Sequence, residues 1–158
     1  MLFSRINMTE KIIIYCDGAC SNNQQSQNRG GWGAVLQYRG KTREISGAEK
    51  NTTNNRMELL ASIRALEAIT NPALPVTLFT DSAYLYNCLE QKWFLRWQKN
   101  GWLTAGKKPV ENKDLWLRLL DLKGRFQRIA FHKVAAHSGV VLNERADQLA
   151  KKAIQSLL

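Results

Sequence analysis

The chain lacks the features of a membrane protein, a secreted disulfide scaffold or a repeat protein. No apolar run approaches the roughly 20 residues that a membrane-spanning helix needs, and residues 1–7 lack the apolar stretch of a signal peptide. The three cysteines are odd in number and form no Cys-x-x-Cys motif. We therefore expect reduced thiols in a cytoplasmic protein, with Cys16 and Cys88 as small buried hydrophobic residues.

Internal repeats, low-complexity tracts and linkers rich in proline or serine are also missing. The chain has 158 residues, of which 44% are hydrophobic, so one domain can bury a substantial core. We expect residues 1–10 to form an N-terminal extension and residues 11–158 to form a single domain. The protein is expected to be a monomer.

Acidic residues are scarce relative to basic ones. The chain has 23 Lys and Arg against 13 Asp and Glu, a formal net charge of +10, which favours a polyanionic partner such as nucleic acid. Residues 92–108, here called the basic aromatic segment, carry no acid and interleave cations with aromatic rings, among them Lys92, Trp93, Lys99, Trp102, Lys107 and Lys108. Such a surface suits phosphates and sugar faces. The alternative is an amphipathic helix whose tryptophans pack inward.

The hydrophobic pattern predicts alternating strands and helices. Strands are expected over residues 12–17, 32–39, 42–46, 76–81 and 127–135, and helices over 53–69, 82–90, 112–123 and from an N-cap at Asn143. The connections between the first three strands are too short for crossovers, so these strands should be antiparallel, and the later ones parallel. The predicted fold is α/β, a five-stranded mixed sheet flanked by helices.

Two of the predicted strands end on an aspartate. Asp17 closes the run Ile12-Ile13-Ile14-Tyr15-Cys16, and Asp81 closes Val76-Thr77-Leu78-Phe79-Thr80. In an open α/β sheet the site lies outside the carboxyl ends of the strands. If the two strands are parallel neighbours, the aspartates lie roughly 5 Å apart. Two carboxylates that close need a cation or a shared proton.

Two further acids, Glu58 and Asp147, lie near the starts of predicted helices. Acids in a first turn can simply complement the helix dipole, but strand-end acids have no such dipole. Four converging carboxylates would need divalent cations, and oxygen ligands select Mg²⁺ or Mn²⁺. Two such ions can activate a water and stabilise the leaving oxygen of a phosphoryl displacement. Together with the basic charge, the acids predict a nuclease.

The motifs around these acids closely resemble the type 1 ribonuclease H family, bacterial ribonuclease HI-like. The string Thr52-Thr53-Asn54-Asn55-Arg56-Met57-Glu58-Leu59 is highly specific. The other matches occur in family order: Asp17-Gly18-Ala19-Cys20, Gly30-Gly31-Trp32-Gly33-Ala34, Thr80-Asp81-Ser82, Gly101-Trp102, Lys107-Lys108-Pro109-Val110, Asp114-Leu115-Trp116 and Asn143-Glu144-Arg145-Ala146-Asp147. The resemblance implies a ribonuclease H-like fold and an endonuclease that hydrolyses the RNA strand of RNA·DNA hybrids, leaving 3′-hydroxyl and 5′-phosphate ends.

The resemblance also implies roles for individual residues. The metal ligands correspond to Asp17, Glu58, Asp81 and Asp147, which would hold two Mg²⁺ ions with substrate, Mn²⁺ being a substitute. His137 corresponds to the catalytic-loop histidine, with proton transfer or product release as its role; a histidine in a polar loop can also be merely solvated. Substrate contacts correspond to Thr53, Asn54, Asn55, Cys20, Asn23 and to Lys92, Trp93, Lys99, Trp102, Lys107 and Lys108. The asparagine pair can alternatively cap its helix.

The chain also departs from the family pattern. The loop after Cys20 is longer than usual and lacks the Pro-Gly turn, and Ala83 stands where glutamine is common. The basic aromatic segment has Leu95, Gln98, Asn100 and Leu103 at positions that are often basic or polar, so we expect weaker or more salt-sensitive hybrid binding than with a fuller basic segment. Two alternatives remain: a non-catalytic binder of hybrids or duplex RNA, and a nuclease of the integrase or junction-resolvase type.

Overall fold

The computed structural model describes residues 10–21, 28–135 and 139–157. The predicted site residues Asn23 and His137, and most of the predicted N-terminal extension, lie outside the described residues. Within them the elements are β1 (Ile12–Ser21), β2 (Arg29–Tyr38), β3 (Lys41–Lys50), α1 (Asn54–Glu67), β4 (Val76–Thr80), α2 (Ala83–Glu90), α3 (Trp93–Asn100), α4 (Lys113–Arg125), β5 (Ile129–Lys133) and α5 (Val141–Gln155).

The strands form one mixed sheet in the order β3-β2-β1-β4-β5. β1 pairs antiparallel with β2, and β2 pairs antiparallel with β3. β4 pairs parallel with β1 on one side and with β5 on the other. The predicted sheet of three antiparallel strands followed by parallel ones is therefore confirmed, and β1 and β4 are direct neighbours.

Helices cover both faces of this sheet. The apolar side of α1, formed by Leu59, Ile63 and Leu66, is buried in the main core with Ile14 of β1. Because side chains alternate between the two faces of a sheet along each strand, Val35 of β2 lies on the face opposite to this main core. It packs there against buried residues of α5, Ala146 and Leu149. The sheet is thus held between α1 and α5, and both helices carry acids that were predicted to belong to the site.

Some predicted boundaries were wrong. α5 begins at Val141, with Val140 as an N-cap that offers no side-chain hydrogen bond. Asn143 is not the cap: it lies inside the first turn and is buried. Of the apolar residues that begin this helix, Leu142 packs on the Val35 cluster whereas Val141 is 76% exposed, and a search for a polar cap misses such a start. β3 is longer than predicted, since it pairs with β2 from Lys41 to Lys50.

The cysteines are free in the structure. Cys16 and Cys88 are buried, as predicted, and Cys20 is partly buried. Among the described residues, no helix has both the length and the apolar character needed to cross a membrane.

Candidate active site

The parallel pairing of β1 with β4 positions the first two acids. The register places Cys16 opposite Thr80, so Asp17 and Asp81 are the next residues along the two strands. Asp81 follows the last residue of β4 directly, as predicted. β1, however, does not end at Asp17 but continues to Ser21, paired only with β2. Asp17 therefore lies where β1 loses its parallel neighbour.

Glu58 joins these acids because α1 approaches β1 very closely at Gly18. A Cβ atom at Gly18 would lie 2.5 Å from the Glu58 backbone nitrogen and 2.6 Å from the Met57 carbonyl carbon, so only glycine fits. The Gly18 N–H donates to Asp17 Oδ1 at 3.0 Å and to Glu58 Oε1. One backbone amide thus holds two acids together.

Three of the four predicted acids form a tight group. Asp17, Glu58 and Asp81 each offer one carboxylate oxygen, and these oxygens lie within 4.8 Å of one another. Asp147, on α5, is not part of this group. Its Oδ2 atom lies 2.9 Å from Lys151 Nζ, one turn further along the helix.

Burial makes this arrangement electrostatically costly. Asp17 is 5% exposed and Glu58 is 3% exposed. Burial raises the pKa of Asp17 to about 8, and the neighbouring Asp81 and Asp147 carboxyl groups add to the increase. Burial likewise raises the pKa of Glu58 well above its ordinary value, and the charge of Asp17 adds to it. Within the described part of the chain, the Lys151–Asp147 contact is the only ion pair that any of the four acids makes.

These residues fit a hard divalent cation. The donors are carboxylate oxygens, which suit Mg²⁺ or Mn²⁺ rather than softer metals. A bound cation would also favour the ionised carboxylates that burial and mutual repulsion disfavour. Both the donor chemistry and the raised pKa values are therefore those expected of a metal site.

The acids line an open cleft of about 390 Å³. Its other lining residues come from the starts of α1 and α2 and from β1: Gly18, Asn54, Asn55, Ser82, Ala83 and Tyr84. Asn54 and Asn55 are exposed at the first turn of α1. Thr53 is the N-cap of this helix, and its side chain accepts a hydrogen bond from Arg56 N at 3.1 Å. The capping alternative thus applies to Thr53, which leaves both asparagine side chains facing the cleft or solvent.

A hydrogen-bond network behind the cleft was missed by the sequence analysis. Arg56 donates to both carboxylate oxygens of Asp114 at 2.9 Å and to Asn112 Oδ1 at 3.2 Å. Asn112 and the buried Trp116 both donate to the Tyr84 hydroxyl. Arg56 and Asp114 lie within the motifs noted above, but nothing in a local pattern indicates that two residues 58 positions apart are partners.

The basic aromatic segment forms α3 and the turn after it. Trp97 packs between Trp102 and Trp116, with ring centroids 5.6 and 5.9 Å away. Trp102 is only 8% exposed, so most of its surface is buried within the protein and little of it is available for the predicted substrate contact. Trp93, at 36%, is exposed. The predicted lysines Lys92, Lys99, Lys107 and Lys108 are all exposed.

Cys20 lies beside the start of α1. Its Sγ atom is 3.7 Å from the carbonyl oxygen of Thr52, and Thr52 is the residue before the Thr53 N-cap. Cys20 therefore contacts the chain that leads into the exposed asparagines, while Asn23 and His137 lie outside the described residues.

The raised pKa of Asp17 predicts that Asp17→Asn stabilises the metal-free protein. Between the ordinary aspartate pKa of 3.8 and the folded value of about 8, the folded state binds more protons than the unfolded state. Wild-type stability therefore falls as pH rises through this range, and asparagine removes that loss. In EDTA at pH 8 we expect the Tm of the variant to exceed that of the wild type by at least about 2 °C, the shift that about 1 kcal/mol produces.

The matched control is Asp121→Asn, which removes an exposed carboxylate paired with Arg125. Thermal unfolding of the three proteins from pH 5 to pH 8 tests the prediction. The Asp121→Asn curve should follow the wild type, since exposed ion pairs contribute little. An Asp17→Asn advantage that is absent, or that does not grow with pH, would contradict the electrostatic account.

Comparison with known proteins agrees with this geometry. The family model described as RNase H matches residues 9–155. Ribonuclease H of Chlorobaculum parvum is 53% identical over 148 residues, covering 94% of this chain and 98% of its own. Ribonuclease H of Prosthecochloris aestuarii is 50% identical over 149 residues, covering 94% and 99%.

Solved structures share the fold. The crystal structure of LC9-RNase H1, a type 1 RNase H with the type 2 active-site motif, superposes with a TM-score of 0.81 at 28% identity, covering 95% of this chain and 74% of that one. The foamy viral protease-reverse transcriptase in complex with RNA/DNA hybrid has a TM-score of 0.79 at 20% identity, covering 93% and 20%. The family match, the curated relatives and the acidic cleft lead to one conclusion: the chain belongs to the ribonuclease H family.

Proposed function

We propose that the cleft holding Asp17, Glu58, Asp81 and Asp147 is where this ribonuclease H cuts the RNA strand of RNA·DNA hybrids endonucleolytically. The observation that carries the proposal is the convergence of three carboxylates, two of them buried, whose oxygens lie within 4.8 Å of one another. Acids this close are unfavourable in a protein that only binds phosphates, because they repel both each other and the ligand. The convergence therefore favours the nuclease over the non-catalytic binder.

The four acids would hold two Mg²⁺ ions, with Mn²⁺ as a substitute. Asp17, Glu58 and Asp81 provide the tight group of oxygens, and Asp147 adds a fourth carboxylate from α5. When bound, such ions supply an activated water and stabilisation of the leaving oxygen. The Gly18 amide keeps Asp17 and Glu58 oriented. The expected products end in a 3′-hydroxyl and a 5′-phosphate.

Recognition of the hybrid is assigned to the start of α1. Asn54 and Asn55 are exposed beside the acids, and their amides can donate to and accept from base edges and 2′-hydroxyls of the minor groove. The 2′-hydroxyl distinguishes RNA from DNA. Thr53 would contact a phosphate of the DNA strand, and Cys20 and Asn23 extend the contact surface.

The basic aromatic segment would hold the DNA strand. Its exposed lysines Lys92, Lys99, Lys107 and Lys108 supply positive charge, and Trp93 offers an exposed ring. Trp97 and Trp102 instead anchor the segment to Trp116 of α4. The lysines proposed to bind phosphates would thus lie on a segment that packs against Trp116, and Trp116 is also part of the Arg56 hydrogen-bond network.

The remaining assignments are also proposals. Residues 11–158 would act as a single catalytic domain after an N-terminal extension, and the protein would be a monomer. Free cysteines, two of them buried, agree with a reducing cytoplasmic environment.

The central prediction concerns substrate choice. We expect cleavage of labelled RNA·DNA hybrid in Mg²⁺, and none in EDTA, with duplex RNA, duplex DNA and single-stranded RNA left uncut. Asp17→Asn should abolish cleavage because it removes a carboxylate from the group, while hybrid affinity remains close to that of the wild type. The control Asp121→Asn should cut normally. Comparable cleavage of duplex RNA, or full turnover by Asp17→Asn, would show that this site or substrate is misassigned.

His137 is proposed to transfer a proton to the leaving group or to aid product release. A positioned acid or base contributes about 100-fold or more to the rate, so His137→Ala should lower kcat by about 100- to 1000-fold without abolishing it. His132 of β5 provides the matched control, because its exposed ring stacks on Phe79 of β4 and lies outside the acidic cleft. His132→Ala should turn over at the wild-type rate. A loss in His137→Ala as complete as in Asp17→Asn would contradict the assignment.

The salt dependence of binding tests the basic aromatic segment. Each phosphate contact contributes about 0.9 to the slope of log affinity against log salt, so Lys107→Gln/Lys108→Gln should flatten the slope by about 1–2. Lys11→Gln/Lys41→Gln removes the same charge from exposed positions at the starts of β1 and β3, the end of these strands opposite to Asp17, and should leave the slope nearly unchanged. Equal slopes for the two double variants would place Lys107 and Lys108 away from the substrate.

A further inference from the structure

Asn28 makes an unusual set of contacts with the chain that leads into α1. Its side-chain Nδ2 donates to the Thr52 carbonyl oxygen at 2.8 Å, and its Oδ1 accepts from the Thr52 N–H at 3.0 Å. Its own carbonyl oxygen accepts from the Asn51 N–H at 2.8 Å. Both polar ends of one carboxamide are therefore used on the two peptide groups of a single residue.

Thr52 needs such a partner because it belongs to neither a helix nor a strand. β3 ends at Lys50 and α1 begins at Asn54, and Thr52 is buried between them. Asn51 has a φ of +55°, a left-handed conformation that is uncommon for residues other than glycine. The chain thus turns sharply here, and the Asn28 carboxamide supplies the hydrogen bonds that regular structure would otherwise provide.

The position of this turn decides where the exposed asparagines lie. Thr53 follows Thr52 directly as the N-cap, and Asn54 and Asn55 are the first two residues of α1. A shift of Thr52 is therefore passed to both asparagines through only two or three peptide units. Small displacements of positioning groups can lower enzyme efficiency strongly.

We propose that Asn28 is a positioning residue for hybrid recognition. It fixes Thr52, and through Thr52 it sets where Asn54 and Asn55 meet the minor groove of the hybrid. The inference rests on the proposed groove contacts of that pair. It gives the end of the β1–β2 connection a role in substrate binding without any contact between Asn28 and the nucleic acid.

The neighbouring Ser21 allows this role to be separated from simple stabilisation. Ser21 Oγ donates to the Arg29 carbonyl oxygen and accepts from the Arg29 N–H, both at 3.2 Å. Ser21 therefore ties together the two ends of the same connection, and its side chain makes no hydrogen bond to Thr52. Among the described residues, Ser21→Ala removes two side-chain hydrogen bonds, as Asn28→Ala does, but neither of them reaches Thr52.

Steady-state kinetics on RNA·DNA hybrid in Mg²⁺ distinguish the two roles. Asn28→Ala should raise KM about 5- to 30-fold, the range expected if the displaced Asn54 and Asn55 lose one or two hydrogen bonds to the hybrid, and change kcat by less than about 3-fold. Ser21→Ala should keep KM within about 2-fold of the wild type. Thermal unfolding and circular dichroism verify that each variant is folded. An unchanged KM in Asn28→Ala, or an equal increase in Ser21→Ala, overturns the inference.

Asn28→Ser provides a second variant if Asn28→Ala does not fold. Its hydroxyl is too short to reach both peptide groups of Thr52 at once, so KM should still rise, by less than in the alanine variant. A folded Asn28→Ser protein with wild-type KM would equally overturn the inference.

A double-mutant cycle separates this inference from the proposed function. If Asn28 acts through the pair, adding Asn28→Ala to Asn54→Ala/Asn55→Ala should raise KM by less than about 2-fold further, because contacting or coupled residues are non-additive. Full additivity overturns the positioning role while leaving the groove contacts intact. A normal KM in Asn54→Ala/Asn55→Ala would instead overturn the proposed groove contacts themselves.

Discussion

The close approach of α1 to β1 at Gly18 is the contact on which the rest of the site depends. Because no side chain separates the two backbones there, the Gly18 amide can bind Asp17 and Glu58 at once. The neighbouring strand β4 then adds Asp81. The same contact that packs the core therefore assembles the carboxylates. Packing and catalysis cannot be varied independently at this point of the fold.

Because Asp17 and Glu58 are buried and close together, they need bound cations to be ionised. The raised pKa values of Asp17 and Glu58 arise first from burial and then from neighbouring acids, so the folded metal-free protein disfavours ionisation of its own site. A bound divalent cation would offset the cost of ionising these buried, neighbouring carboxylates. Metal binding and the stability of the fold are therefore linked. Lys151 offers Asp147 only a single, largely exposed charge. The net charge of +10 favours the approach of a polyanion such as nucleic acid.

The groups proposed to contact the substrate are connected to the helix that carries Glu58. Arg56 joins the first turn of α1 to α4 through Asp114, and the tryptophan cluster joins α4 to the basic aromatic segment. On the other side, Asn28 joins the β1–β2 connection to Thr52. The proposed recognition surfaces, from three parts of the chain, are therefore held in a defined relation to the acids, as catalysis at one phosphate would require.

The amino-acid sequence by itself determined the strands and helices, the mixed sheet and the four acids, because hydrophobic periodicity and the Asp17 and Glu58 motifs are local patterns. It did not reveal the start of α5, where Val140 occupies the N-cap position without a side-chain hydrogen bond. Only the tertiary structure decided that Trp102 is buried, that Arg56 pairs with Asp114 and that Asn28 holds Thr52. These contacts join residues far apart in the chain, and their partners are selected by how the elements pack, which no short pattern encodes.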